Sequence, residues 1–570
     1  DETAALNLSS TELNNVTAST IVVGGNSYNG GITIGGSISP TNASALSLIN
    51  QSAITQTAPV TVSSLNADTS SGTGAVTLTN ASNAIGTVSG RASNSAAFSL
   101  TSSSALTVGT VDSVSGIIAG NATVNATGAL TVAQNVTSNT GATSLQGNGI
   151  TFTSSPSPAP ATTVSGTSVS LNGLTGNMNL GGGAINTSSS ATITNAANVV
   201  TGEVTATTGL SFSNITGTVA QQAGSSVDTG TLTGSALAGA ITLGNLGNKF
   251  SAIGTLATSG GGITIRDNTG NLSITGPVSG GTGIVKIGTS GDLTQAATVG
   301  SNAAGDAIIL YSGNYINTFG SSAMSLSSGR WLVYSTNPAS NTFGGLDSAS
   351  AAVYNSTLDL NPPSGIASGN RYVFSFQPTV SVSANAQTRV YDRTATFASP
   401  THTVTGGLVN AATYGNVFTQ DALSGSLSVT SPGAAAGTYA IGLGTLTAPA
   451  GYASINYTPA NATVTQAPLT VTGLSGVNRS FDGTTVASLS GTATLVGVIS
   501  GDTVTSTGTT SGTFADKNVG TGKAITTSIG LSGGVASNYQ LTQPTGLNAN
   551  VTPAALTVST ANLNRMYDGT

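Results

Sequence analysis

Short apolar pairs spaced two residues apart run through the first half of this chain. Ile32-Thr33-Ile34, Val76-Thr77-Leu78, Ile263-Thr264-Ile265 and Leu272-Ser273-Ile274 put aliphatic side chains on one face and Thr or Ser on the other, the alternation of a half-buried strand. Gly, Asn and Ser follow, residues that favour tight turns. A three-residue strand cannot bury its apolar face alone, but repeated copies can. Ser104-Ala105-Leu106-Thr107-Val108 returns as Gly128-Ala129-Leu130-Thr131-Val132, a shift of 24. Gly74-Ala75-Val76-Thr77-Leu78-Thr79-Asn80 returns as Gly239-Ala240-Ile241-Thr242-Leu243-Gly244-Asn245, a shift of 165 that Asn83 and Asn248 keep. The pattern predicts an all-β solenoid over residues 1–330, a right-handed parallel β-helix. Coils of roughly 20–24 residues, about 4.8 Å apart and about fifteen in number, give a rod of order 70 Å.

A longer period follows. Thr388-Arg389-Val390-Tyr391-Asp392-Arg393-Thr394 aligns with Asn478-Arg479-Ser480-Phe481-Asp482-Gly483-Thr484 and with Asn564-Arg565-Met566-Tyr567-Asp568-Gly569-Thr570, the aromatic positions lying 90 and 86 residues apart. Gln466-Ala467-Pro468-Leu469-Thr470-Val471 likewise matches Pro553-Ala554-Ala555-Leu556-Thr557-Val558. A period near 88 with short strands suits one small Ig-like β-sandwich per unit. The units are expected at 381–470 and 471–557, with 558–570 opening another, and the chain reads as a segment of a longer protein. Each Asp-x-Thr reads as a turn in which Asp accepts from nearby backbone amides. Phe514-Ala515-Asp516-Lys517-Asn518-Val519-Gly520 reads as a polar loop, with a bound cation or sugar as the alternative.

Between the two repeats the aromatics arrive. Residues 1–300 hold only Tyr28, Phe98, Phe152, Phe212 and Phe250, which suits a narrow interior of small aliphatics. Residues 301–380 hold Tyr311, Tyr315, Phe319, Trp331, Tyr334, Phe343, Tyr354, Tyr372, Phe374 and Phe376. An open solenoid end needs covering, so 331–380 is read as a cap. Tyr311, Tyr315, Trp331 and Tyr334 are its structural residues and its candidate glycan contacts. Trp331-Leu332-Val333-Tyr334 has the pattern of a buried strand.

Composition narrows the chemistry. With 38% hydrophobic residues and a net charge of −6, the chain lacks the low-hydrophobicity, high-charge balance of disorder. Cys is absent, which excludes disulfides and thiolate metal sites. Residues 1–329 carry ten acids and four bases (Arg91, Lys249, Arg266, Lys286), so no basic patch exists for nucleic acid. No apolar run nears the roughly 18 residues of a membrane helix, so no membrane insertion is expected. The acids are scattered, the closest solenoid pair being Asp1 and Glu2, and His402 is the only histidine. Paired-carboxylate and Ser-His-Asp chemistry therefore lack candidates. No catalytic residue, cofactor or metal is assigned, and the expected role is non-enzymatic.

Several stretches resemble filamentous-haemagglutinin-like exoproteins of two-partner secretion systems. Ser328-Gly329-Arg330-Trp331-Leu332-Val333-Tyr334-Ser335-Thr336-Asn337-Pro338, behind a Gly/Asn-rich solenoid, is similar to their sequences. Residues 385–470 are similar to MBG domains, with Ala436-Gly437-Thr438-Tyr439-Ala440-Ile441. Residues 475–558 are similar to a YDG domain, with Phe481-Asp482-Gly483-Thr484-Thr485, Gly501-Asp502-Thr503-Val504 and Ser537-Asn538-Tyr539. Phe481 departs from the usual Tyr, and Arg393 stands where Gly is expected and is expected to alter its turn. The resemblance implies a Gram-negative surface or matrix adhesin exported through an outer-membrane transporter. It implies biofilm or cell–cell adhesion, with host or bacterial glycans, exopolysaccharide or neighbouring cells as partners.

Overall fold

A computed structural model describes residues 6, 7, 9–153, 161–560, 566 and 568. Asp1, Glu2 and all of the third motif except Met566 and Asp568 lie outside them. The chain forms two compact units, 1–378 with 409–421, and 379–408 with 422–570.

The first unit is a parallel β-solenoid. One interior ladder shows how it is built. Ile32 stacks on Ile54, then Val76, Phe98, Ala122, Thr143, Val169, Ala191, Leu210, Leu232, Ile253, Ile274, Gln295 and Asn317, fourteen residues joined by parallel pairings. Each is at most 1% exposed. At about 4.8 Å per step the ladder spans roughly 60 Å. Its steps run from 19 to 26 residues, mostly 21 or 22. Turns absorb most of the variation, and register shifts inside the long strands at Ala206/Gly209 and Leu232/Gly234 absorb the rest.

Both sequence echoes have structural causes. The shift of 24 is a true neighbour register, Leu106 on Leu130 and Val108 on Val132. The shift of 165 marks a buried amide pair used twice. Asn83 donates to Gln56 Oε1 at 2.9 Å, and Gln56 donates back to Asn83 Oδ1 at 2.8 Å. Asn248 and Gln221 do the same at 3.0 and 2.6 Å. In both, the Asn Oδ1 also accepts a backbone N–H, from Val60 or Val227. Each pair satisfies polar groups that would cost about 1–3 kcal/mol if left buried without partners.

A prediction follows from the ladder. Val199 pairs with Val219, so deleting 199–218 removes one coil and leaves the cut ends at equivalent places. That variant should stay folded, with a melting temperature within a few degrees of the parent. Deleting 199–208 leaves the register unmatched and should abolish cooperative melting by circular dichroism.

The parallel sheet does not stop at residue 330. Strand Asp306–Tyr311 pairs with Arg330–Ser335, which pairs with Arg371–Phe374. Trp331 lies over Ile308, itself over Val285, so the indole sits within the stack, with one more strand beyond it. Its ring meets Tyr372 edge-on at 4.9 Å, and Phe343 meets Tyr372 at 4.7 Å. Tyr414 and Phe418, from 409–421, join this cluster against Phe343. Edge-to-face pairs of this kind add about 0.5–1.5 kcal/mol beyond area burial.

The second unit holds two β-sandwiches. The first has a core of Val380, Val382, Leu427, Ile441, Leu446 and Ala462. The second has Ala487, Leu489, Phe514, Ile525, Leu547, Ala549 and Val551. Both share one topological device, an early strand lying parallel to a closing strand. Gln387–Val390 pairs with Ala460–Thr465, and Arg479–Ser480 with Asn548–Thr552. Arg389 and Arg479 take the same place, opposite Val464 and Val551.

Candidate functional site

On the outer face of the last coils, a register ladder runs Arg266, Gly288, Tyr311, Tyr334. Gly288 is the step that matters. It is buried, and a β-carbon there would collide with the Tyr311 ring. The ring therefore lies across the glycine backbone of the previous coil. Lys286 Nζ sits 6.0 Å from the ring centroid. The chain then makes an excursion over this face. Arg330 pairs with Asp306 at 2.6 Å and donates to Pro363 O and Ile366 O at 2.8 and 3.1 Å. This pins the excursion above a small apolar patch of Ile309, Leu332, Tyr334, Ile366 and Val373. Between the excursion and the sheet lie two adjoining hollows of about 290 and 320 Å³ that share Thr289, Ser290, Tyr311, Leu358 and Asp359.

The four aromatics expected at the cap divide sharply. Tyr315 is fully buried and donates to Gln295 Oε1 at 2.7 Å. Trp331 is 2% and Tyr334 3% exposed, the latter donating to Asn361 O at 3.1 Å. Burial alone drives the Tyr315 hydroxyl far above its ordinary pKa. Tyr334 is pushed up to about 12, first by burial and then by Asp306, with Arg330 opposing. Only Tyr311 remains half-buried and open to the groove. Burial raises its hydroxyl too, against Arg266 and with Asp359. As a strand residue, Gly288→Val should form the ladder but displace this ring. Overpacking of that kind costs about 1–3 kcal/mol, which thermal melts of the full chain should register together with changed Tyr311 ring resonances.

The repeated turns behave as turns. Asp392 accepts from Thr394 N at 2.9 Å and its hydroxyl at 2.7 Å; Asp482 accepts from Thr484 at 2.9 Å in both ways. Those bonds and the neighbouring Arg389 or Arg479 hold both carboxyls below their ordinary pKa. Arg393 leaves the turn unchanged. It takes φ +68° where Gly483 takes +85°, a left-handed conformation that is rare for a side-chain-bearing residue.

What Arg393 does instead lies across the sandwich joint. Its Nε contacts Asp502 Oδ1 at 3.0 Å, and its Nη1 donates to Ser500 O at 2.7 Å. Asp502 Oδ2 also accepts from Tyr391 at 2.9 Å and Tyr539 at 2.5 Å. The carboxylate side chain is 3% exposed. The two tyrosines meet edge-on at 5.5 Å, with Val464, Ala467 and Leu469 packed around them. Desolvation, then the bond to Asp502, raises both tyrosine hydroxyls. The sequence motifs contain Asp502 and Tyr539 but assign neither a role. The signal was the one turn that departs from Gly.

Other candidate positions are already satisfied. In the 514–520 loop, Lys523 donates to Asp516 O and Asn518 O at 2.9 and 2.6 Å and pairs with the Asp516 carboxylate. Its ammonium stands where a cation would sit. Asp267 is buried but accepts from Phe250 N and the hydroxyls of Thr289 and Thr269. His402 opens a strand opposite Ala384. Among the described residues, no three His, Asp or Glu side chains come together as a metal site would require.

A family model, the YDG domain, matches residues 465–546. The match contains Asp502 and Tyr539 but neither Tyr391 nor Arg393, so the joint is made by the YDG domain and the sandwich before it. No curated protein and no solved structure matches the chain.

Proposed function

We propose, for a chain in which a YDG domain and a companion sandwich follow a parallel β-solenoid, a non-enzymatic role as the stalk of a secreted adhesin. The observation that carries this reading is the fourteen-residue interior ladder. It is long and continuous, and its side chains are buried in the interior, stacking on one another or, at Thr143, Gln295 and Asn317, hydrogen-bonding within it. Stacked repeats of this kind make extended scaffolds. The clasped sandwich pair adds a second element fixed internally. Resemblance of the 328–338 and 385–470 stretches to two-partner secretion exoproteins and MBG domains supports a Gram-negative surface or matrix setting. It also supports export through an outer-membrane transporter and contact with glycans, exopolysaccharide or neighbouring cells.

The test is made in cells producing the whole protein. An in-frame version lacking 32–316, which leaves Asn317 in the register place of Ile32, is displayed and scored for adhesion and aggregation. A stalk predicts retained attachment by a shortened molecule, with loss confined to assays that demand reach. Loss of attachment in every assay, at equal surface display, would overturn the stalk reading.

A further inference from the structure

We infer that the Phe481 end of the YDG sandwich is a second joint surface, and that it takes a sandwich of the same type carrying an uncharged residue at the place of Asp502.

Phe481 and Tyr391 sit in one and the same frame. Tyr391 N donates to Thr465 O at 2.9 Å, and Phe481 N to Thr552 O at 2.8 Å. Thr465 Oγ1 donates back to Arg389 O at 3.3 Å, and Thr552 Oγ1 to Arg479 O at 3.4 Å. At each ring an arginine pairs with the turn aspartate and donates to the turn threonine's carbonyl. Both rings are thus held beside the end of a closing strand. Their surroundings differ. Tyr391 is 5% exposed, packed against Tyr539 of the YDG sandwich, whereas Phe481 is 37% exposed. Beside Phe481, a β-carbon built on Gly483 would meet no atom within 4 Å. One copy of this frame is buried against a YDG sandwich and the other is bare. That equivalence names the occupant.

Two residues set what the bare copy accepts. A phenyl ring can meet the equivalent of Tyr539 edge-on, as Tyr391 does at 5.5 Å. It has no hydroxyl to give the equivalent of Asp502, and Gly483 has no guanidinium. In the existing joint those two groups compensate a carboxylate that is almost wholly buried. Against Phe481 and Gly483 the same carboxylate would keep only its own tyrosine, and a buried charge stripped of its partner is strongly unfavourable. An uncharged side chain escapes most of that cost. Tyrosine with arginine therefore matches aspartate, and phenylalanine with glycine matches an uncharged residue.

The test repeats residues 467–553 in tandem after Pro553 of the full chain, so that the added sandwich enters in the register Ala467 and Ala554 share. The chain has no cysteine, so one introduced into each YDG copy carries a spin label, and electron-resonance distances report docking. Relative domain motion is the default without a packed interface. With Asp502→Asn in the added copy, the distance distribution should be roughly twofold narrower than with Asp502 kept, the opposite of what that substitution does to the existing joint. Circular dichroism would verify that both copies fold. Phe481→Ser in the first copy should restore the broad distribution. With Asp502 kept, Phe481→Tyr together with Gly483→Arg should narrow it again. Equal widths for Asp and Asn, a narrow distribution that survives Phe481→Ser, or a broad one that survives the Tyr and Arg exchange would each overturn the proposal.

Discussion

Trp331→Ala should destabilise the solenoid by about 3–5 kcal/mol, the usual cost of truncating a buried aromatic. The indole is 2% exposed, lies over Ile308, and meets Tyr372 edge-on. Removing it opens a cavity in a cluster whose other members are rings, and rings relax poorly into the space. The last strands, Arg330–Ser335 and Arg371–Phe374, should therefore lose amide protection first. Hydrogen exchange read by mass spectrometry would show this, with protection in 475–558 retained. Unchanged melting and exchange would refute a load-carrying role for this side chain. Trp331→Phe, which keeps an aromatic edge, should recover more than half of the loss.

The second large effect is expected at the sandwich joint. Asp502→Asn should cost about 2–3 kcal/mol, since hydrogen bonds to a charged group are worth about 1.5–3 kcal/mol each. One oxygen accepts both tyrosine hydroxyls while the other faces Arg393. An amide has only one oxygen, so either the tyrosines or the arginine must face an N–H₂ group. Arg393 is 48% exposed, so solvent screens its share. Most of the loss should come from the tyrosine pair, and Tyr391→Phe should reproduce a good part of it. Arg393→Gly should be nearly neutral in melting. It gives up the ion pair but relieves a left-handed backbone whose strain costs of order 1 kcal/mol. Its effect should appear as a broader distance distribution between spin labels on the two sandwiches. A distribution as narrow as the parent's would mean that the tyrosines alone set the joint.

The solenoid was legible because its rule is local. Period-two alternation, small side chains and turn residues recur in every coil, so Val76-Thr77-Leu78 announces its own inward face. Even one true register, Leu106 on Leu130, was present as a sequence echo. Roles that depend on what lies across the fold were harder to read. Gln56 and Gln221 look like surface glutamines until the buried partners Asn83 and Asn248 are seen. Four aromatics near the cap were equivalent on paper. Which one opens to solvent depends on Gly288, 23 residues before Tyr311, and on an excursion that returns more than forty residues later. Asp502 shows in the sequence only as part of a motif, because its partners Tyr391 and Arg393 lie over a hundred residues upstream. The sequence did place Trp331 in a buried strand. It did not show that Arg371–Phe374 would add another strand beyond it.

The parallel pairing of early and closing strands in each sandwich bears on how this region meets force. When a domain is pulled by its two ends, two adjacent parallel strands near those ends slide past each other lengthwise. Their bonds, evenly spaced along the pair, are then strained together rather than broken one by one as in a peeled hairpin. Gln387–Val390 beside Ala460–Thr465, and Arg479–Ser480 beside Asn548–Thr552, stand in that shear geometry. A molecule tethered at one end and tugged by flow at the other would find in these short strand pairs its points of mechanical resistance.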